Sequence, residues 1–369
     1  MARDLPHLVE MVRNGREEPR RRNGTRTPVT VIRGDGVGPE VIDAAMAVVD
    51  ACGVGVAWDP AEAGASANIR MGDALPDDTI HSIRRNRICL KGPLEAPATS
   101  GLRSLSARLK EELDLYANIR PIRSYAGQPP PFRDVDLAII CENALGVYAG
   151  TERYLDHDGD VAESASTTTL AACQRIVRYA FDYATRNRRP SVTLVHNANM
   201  LKLSSGIFVQ AGRDMAKHYG KIKFEEMIIT DMAMQLVMDP SRFSVVVTSE
   251  ALGDSLSAVA TGLVGGRDAT AAMNVGTHAA VFEPVHGIAM EIAGNGIANP
   301  TSAVLAGALL LRHIGETEAA DRIEAAIRFV IADPKHVTAH SGGHMSTAEF
   351  ADAVAGVVRG LESGAVSLR

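Results

Sequence analysis

Aromatic side chains are scarce, at 4% of 369 residues with a single Trp, so any core has to be built from aliphatic residues. Those are plentiful: hydrophobic residues reach 46% against 22% charged, the balance of a globular chain and not of a disordered one. Cysteines are few. Cys52, Cys89, Cys141 and Cys173 are widely separated and form no C-x-x-C pair, which excludes a zinc knuckle and a dense disulfide framework and fits a reducing, cytoplasmic setting. No apolar run approaches the ~20 residues needed to cross a bilayer, and the N-terminus lacks the hydrophobic stretch of a secretory signal, so no membrane partner is expected. A basic excess is missing too. The net charge of -6 argues against nucleic acid as the main partner, while a small anionic ligand in a local basic pocket stays compatible with it.

Residues 1–27 contain the run Arg20, Arg21 and Arg22, but Asp4, Glu10, Glu17 and Glu18 dilute it and spoil the acid-poor look of a transit peptide. The segment reads as a flexible tail, with a nucleic-acid arm as the sharper alternative. The rest of the chain is too long for one small core and suits two lobes. Apolar strand-like runs alternate with helical patterns nearly throughout, which predicts an α/β fold. Strands are expected at residues 29–32, 87–91, 137–141, 192–196 and 243–248, each rich in β-branched or aliphatic residues. Helices are expected at 40–49, 168–186, 204–218, 301–313, 316–331 and 348–360, the last opened by a capping box of Ser346 and Glu349. Gln128-Pro129-Pro130-Pro131 reads as a stiff surface connection.

Between the first strand and helix lies Gly34-Asp35-Gly36-Val37-Gly38-Pro39. Such a turn can aim backbone N–H groups at a phosphate. Its spacing is not G-x-G-x-x-G, however, and a tight turn needing glycine geometry explains it equally well.

Four segments together carry a family resemblance: Gly34 to Glu40; the stretch from Lys91-Gly92-Pro93 through Arg103-Ser104-Leu105 to Leu113-Asp114-Leu115-Tyr116-Ala117-Asn118-Ile119-Arg120-Pro121; Val195-His196-Asn197-Ala198-Asn199; and Gly294-Asn295-Gly296-Ile297-Ala298-Asn299-Pro300. In this order and spacing the chain resembles the β-decarboxylating dehydrogenases, the isocitrate and isopropylmalate dehydrogenase family, and looks most like its NAD-dependent isocitrate members. The resemblance implies an α/β fold of isopropylmalate-dehydrogenase type, with two domains and an open mixed sheet flanked by helices, not a Rossmann fold. It implies a large domain from residues 28–121 and 257–369, a small domain from 122–256 that carries the dimer contacts, and an active site in the cleft that borrows residues from a second subunit.

Members of this family oxidise a 2-hydroxy acid by hydride transfer to nicotinamide and lose a β-carboxylate, with magnesium or manganese polarising the oxygens. The resemblance assigns Asp254 as a metal ligand and Asp231 as the ligand donated across the dimer. One turn after Asp254, on a helix expected to start near Leu252, the family has aspartate and this chain has Ala258. Tyr148 matches the tyrosine that protonates the enolate. Asn197 stands where the family has a proton-shuttling lysine; asparagine cannot exchange a proton, and loss of a positioned base costs about 10²- to 10⁴-fold in rate. For substrate carboxylates Ser104, Arg120 and Asn199 match, whereas Ser106, Lys110 and Cys141 replace an asparagine and two arginines, so the paired grip of guanidinium on carboxylate is thinned. Cys141 reads better as a buried strand-end thiol than as a nucleophile. On the cofactor side His286, Gly287 and Asn299 match the adenine loop, and Glu291 stands where an acid accepts from the ribose hydroxyls and selects NAD over NADP.

Two functions follow from this pattern. One is a divergent, NAD-linked and metal-dependent oxidoreductase or decarboxylase, a homodimer acting on a small carboxylate, a 2-hydroxy acid other than isocitrate. The other is a catalytically silent regulatory subunit in a hetero-oligomer with an active relative.

Overall fold

The computed structural model describes residues 26–95, 104–125, 134–146 and 150–365. Most of the expected N-terminal tail, the Gln128 to Pro131 connection and Tyr148 lie outside the described residues. The strands are β1 (Thr27–Ile32), β2 (Val56–Ala61), β3 (Ile88–Lys91), β4 (Ala117–Arg123), β5 (Asp136–Glu142), β6 (Thr151–Tyr154) and β7 (Ala162–Ala165). They continue with β8 (Ser191–His196), β9 (Lys223–Ile228), β10 (Val245–Thr248), β11 (Ala271–Val275) and β12 (Ala280–Pro284). The helices are α1 (Gly38–Asp50), α2 (Ala65–Met71), α3 (Asp77–Asn86), α4 (Leu105–Glu112), α5 (Leu170–Arg186) and α6 (Ser204–Ala216). After them come α7 (Ile229–Met238), α8 (Glu250–Leu263), α9 (Thr301–His313), α10 (Thr317–Ile331) and α11 (Thr347–Glu362).

One mixed sheet runs through the molecule in the order β2-β1-β3-β12-β11-β4-β5-β10-β8-β9, while β6 and β7 form a separate antiparallel ribbon. Its wings are parallel: β2-β1-β3-β12 on one side and β5-β10-β8-β9 on the other. Its centre, β12-β11-β4-β5, is antiparallel. Wing strands such as Val245 to Val247 are apolar on consecutive residues because helices cover both faces.

The helices divide between the two faces. On one face α1, α5, α6, α9, α10 and α11 share a single core with inward residues of the strands, including Ala117, Ile119 and Ile140. The opposite face carries two separate cores. One joins Ile80 and Ile83 of α3 and Leu105 and Leu109 of α4 to Cys89 and Val281; the other joins Met232 and Leu236 of α7 and Leu256 and Ala260 of α8 to Ile139, Cys141 and Val246. The gap between these two cores, over the antiparallel centre, is where the polar residues gather.

Local chemistry explains the element ends. The Ser346 hydroxyl accepts from Glu349 N at 3.2 Å while the Glu349 carboxylate accepts from Ser346 N at 2.8 Å, the expected capping box. Thr169 accepts from Ala172 N at 3.2 Å and starts α5 at Leu170. The helix expected near Leu252 begins two residues earlier, at Glu250. Gly34 and Gly36 have φ of +77° and +59°, and a Cβ on Gly36 would overlap the Ile288 carbonyl. Asp35 N and Val37 N donate to Pro93 O and Ile288 O, each at 2.8 Å, so the glycine turn serves close packing and these N–H groups are not aimed at a ligand.

Candidate active site

Strand alternation places Lys91, Glu283, Asn274, Asn118, Arg120 and Cys141 on the cleft face, because their neighbours Leu90, Phe282, Met273, Ala117, Ile119 and Ile140 all face the large core. Register then aligns them: Leu90 pairs with Phe282, Asn274 with Asn118, and Asn118 with Cys141. The polar side chains join hands across the strands. Lys91 Nζ lies 2.6 Å from Glu283 Oε2, and Asn274 Nδ2 donates to Glu283 Oε1 at 2.6 Å. Asn118 Nδ2 and Asn143 Nδ2 donate to Asn274 Oδ1 at 2.9 and 3.1 Å. Arg120 Nε donates to Asn118 Oδ1 at 2.9 Å, and its Nη2 donates to Asp254 Oδ1 at 2.7 Å. Burial alone would raise the Glu283 carboxyl, but the Lys91 charge and the donors around it hold it below its ordinary range. The network orients Arg120 with one end of its guanidinium fixed.

Helices α4 and α8 form the walls. Ser104 caps α4, accepting from Ala107 N at 3.2 Å, and both Ser104 and Ser106 are exposed. Lys110, one turn beyond Ser106 on the same helix face, reaches across to Glu250, with Nζ 3.5 Å from Oε1. Glu250 is buried; burial, against the pull of Lys110, pushes its carboxyl up to about 7. Glu142, at the end of β5, is also buried and raised by desolvation, its carboxylate accepting from Ala144 N at 3.2 Å and Leu145 N at 2.8 Å. Cys141 was expected among the substrate contacts. It is 3% exposed, belongs to the core beneath α8, and lies where a Cβ on Gly253 would overlap its sulfur, so it floors the site and offers no polar group to the cleft. Desolvation pushes its thiol up to about 12.

Asp254, Lys110 and Arg120 thus converge within one protomer. Among the described residues, the side chains of Asn197, Asn199 and Asp231 make no hydrogen bond or ion pair with that cluster. The backbone carbonyl of Asn197 accepts from Met200 N and Leu201 N at 3.1 and 2.8 Å, Asn199 is exposed, and Asp231 is exposed in the first turn of α7. From Asp231 the same face of α7 continues into exposed Met234, Val237 and Met238. Ala258 is exposed one turn after Asp254. No group of three or more His, Cys, Asp or Glu side chains is placed to hold a metal ion among the described residues. Asp254 supplies hard carboxylate oxygen of the kind magnesium or manganese takes, with one oxygen already on Arg120, so one protomer offers only part of a cage.

On the cofactor side, β12 delivers Glu283 to the network and leads directly into His286. His286 Nδ1 lies 3.0 Å from Gly287 O, and its Nε2 is buried without a hydrogen-bond partner, an acceptor or donor held ready. Space beside Gly287 is open, and Glu291 is exposed. Among the described residues, a ring nitrogen without a partner and the open space at Gly287 fit a nucleotide base. Asn299 is more occupied: its Oδ1 accepts from Thr301 N and Oγ1 at 3.0 and 2.6 Å, and its Nδ2 donates to Ser341 Oγ at 3.1 Å. Sequence reasoning missed Asp268, whose carboxyl is raised by burial although His286 and His340 pull it down. It also missed Glu250, although spacing could have found it, since it precedes Asp254 by one helical turn.

Known proteins resemble this chain along most of its length. The isocitrate/isopropylmalate dehydrogenase family model matches residues 28–354. The alpha subunit of mitochondrial NAD isocitrate dehydrogenase from Homo sapiens is 37% identical over 359 residues, covering 97% of this chain and 98% of the relative. Catalytic subunit 5 of the mitochondrial NAD enzyme from Arabidopsis thaliana is 39% identical over 331 residues, covering 89% and 88%. The crystal structure of isocitrate dehydrogenase from Methylococcus capsulatus superposes with a TM-score of 0.86 at 49% identity, covering 90% of this chain and 99% of that one. Both of these subunits are mitochondrial, which overturns the cytoplasmic setting read from the cysteines. Four buried, unpaired thiols do not distinguish one compartment from another.

Proposed function

The chain belongs to the isocitrate/isopropylmalate dehydrogenase family, and from that premise we propose that it is an NAD-linked, metal-dependent oxidoreductase that decarboxylates a 2-hydroxy acid other than isocitrate. The observation that carries the substrate part is how the described cations of the site are paired. Among the described residues, Arg120 is shared with Asp254 and Lys110 is already paired with Glu250, so these two leave little positive charge for three carboxylates.

In this reading Arg120, oriented by Asn118, binds and orients one substrate carboxylate. Asp254 and the Asp231 of a second copy hold the divalent ion, which when bound polarises the substrate oxygens. His286, Gly287 and Glu291 bind the dinucleotide, Glu291 excluding a 2′-phosphate by like charge. Tyr148 is assigned proton donation to the enolate, while Asn197 hydrogen-bonds without moving a proton. The exposed apolar face of α7 that begins at Asp231 is the dimer contact, which makes the homodimer the unit that completes the site. Residues 28–121 with 257–369, and residues 122–256, are assigned as the two domains that meet at the cleft.

The losses at Asn197 and Ala258 favour a second reading, a silent regulatory subunit. The test is NAD reduction by the purified protein with manganese across a panel of 2-hydroxy acids. The expected result is turnover of a member other than isocitrate. Ordinary isocitrate turnover sinks the substrate assignment, and silence across the panel with NADH still bound selects the regulatory role.

A further inference from the structure

Nothing in the reaction above uses Glu250. It opens α8, is 5% exposed, and stands one turn before Asp254, so the two carboxylates share a helix face. Its Oε1 meets Lys110 at a long 3.5 Å. Its Oε2 is buried and, among the described residues, accepts no hydrogen bond; Gly146 beside it has no side chain to donate. A buried carboxylate oxygen without a donor is costly, and such atoms are rare unless a donor arrives from elsewhere. Once ionised, above its raised value of about 7, Glu250 would repel a further carboxylate together with nearby Asp254, with Lys110 already matched.

We infer that Glu250 is a specificity residue that accepts a hydrogen bond from the substrate, whose third substituent therefore ends in a donor, a hydroxyl or an ammonium, and not in a carboxylate. The inference rests on the reading of the cleft as a site for 2-hydroxy acids, and it identifies the substrate class within that reading. Glu250 Oε2 takes the donor hydrogen, Lys110 steadies Oε1, and Arg120 remains for the carboxylate at the other end.

The experiment is calorimetric titration of the full-length protein with manganese and no dinucleotide. The ligands are malates that differ only at C3, bearing a carboxymethyl group (isocitrate itself), 2-hydroxyethyl, 2-aminoethyl or propyl, and NADH binding is measured separately. A donor-ended malate is expected to bind at least roughly tenfold tighter than the carboxymethyl and propyl ligands, the strength of a hydrogen bond to a charged group. The better of hydroxyethyl and aminoethyl identifies the donor. Glu250→Gln should shrink that preference and strengthen the carboxymethyl ligand as Lys110 is released, and Glu250→Leu should abolish the preference, with folding of both variants checked by circular dichroism. Tightest binding of the carboxymethyl ligand by the wild type, or a ranking unchanged in both variants, overturns the inference and leaves the 2-hydroxy-acid site standing. Absence of binding for every malate, or of NADH binding, overturns the site reading itself.

Discussion

Lys91 and Cys141 mark the two ends of the polar row and show how burial sets chemistry one residue at a time. The side chain of Lys91 is 6% exposed and neutralises Glu283 inside the sheet. Because Glu283 is held below its ordinary range, the pair's contribution to stability is complete above the ordinary Glu value and is lost as pH falls through the lowered one. In Lys91→Met the sign reverses: Glu283 keeps its burial without its cation, so its carboxyl rises. The variant should lose about 3–5 kcal/mol at pH 8, with a deficit that narrows toward pH 5, measured by urea unfolding at both values. A pH-independent deficit would show that the ion pair is not its source. Cys141, with its thiol pushed up to about 12, and the other three buried cysteines, raised to about 11 or 12, should give no reaction with a disulfide reagent in the native protein at pH 8 and four equivalents after denaturation. A fast-reacting native thiol would contradict that burial.

At the scale of elements, the same polar row explains which strands the sequence revealed. The wings β1, β3, β5, β8 and β10 were legible because they are buried on both faces and read as continuous apolar runs. The central strands β4, β11 and β12 were not, because Asn118, Arg120, Asn274 and Glu283 interrupt the apolar pattern at the positions that build the site. Helix α8 shows a packing constraint of the same kind. Gly253 brings it so close to β5 that a Cβ would overlap the sulfur of Cys141 and lie 3.1 Å from Thr248 Cγ2. Gly253→Ala should therefore cost about 1–3 kcal/mol in denaturant unfolding, and adding Cys141→Ala should restore part of it. Equal stability of Gly253→Ala and wild type would mean that α8 is free to shift away.

At the scale of the whole molecule, the side chains of Asp231, Asn197 and Asn199 make no hydrogen bond or ion pair with Arg120 or Asp254 among the described residues, so the proposed shared site depends on a second copy. Val237→Asp, placed on the exposed face of α7, should convert a dimer to a monomer by light scattering, with circular dichroism unchanged. A wild-type protein that is already monomeric would remove this face from consideration. The sequence by itself determined the α/β alternation and the family, because periodicity and motif spacing are local properties of the chain. Only the tertiary structure decided that Gly253 seats α8 against the sulfur of Cys141, that Asn299 is spent on its own loop, and that Glu250 meets Lys110. Partners 140 positions apart in the chain meet through strand order and register, and no local pattern encodes those.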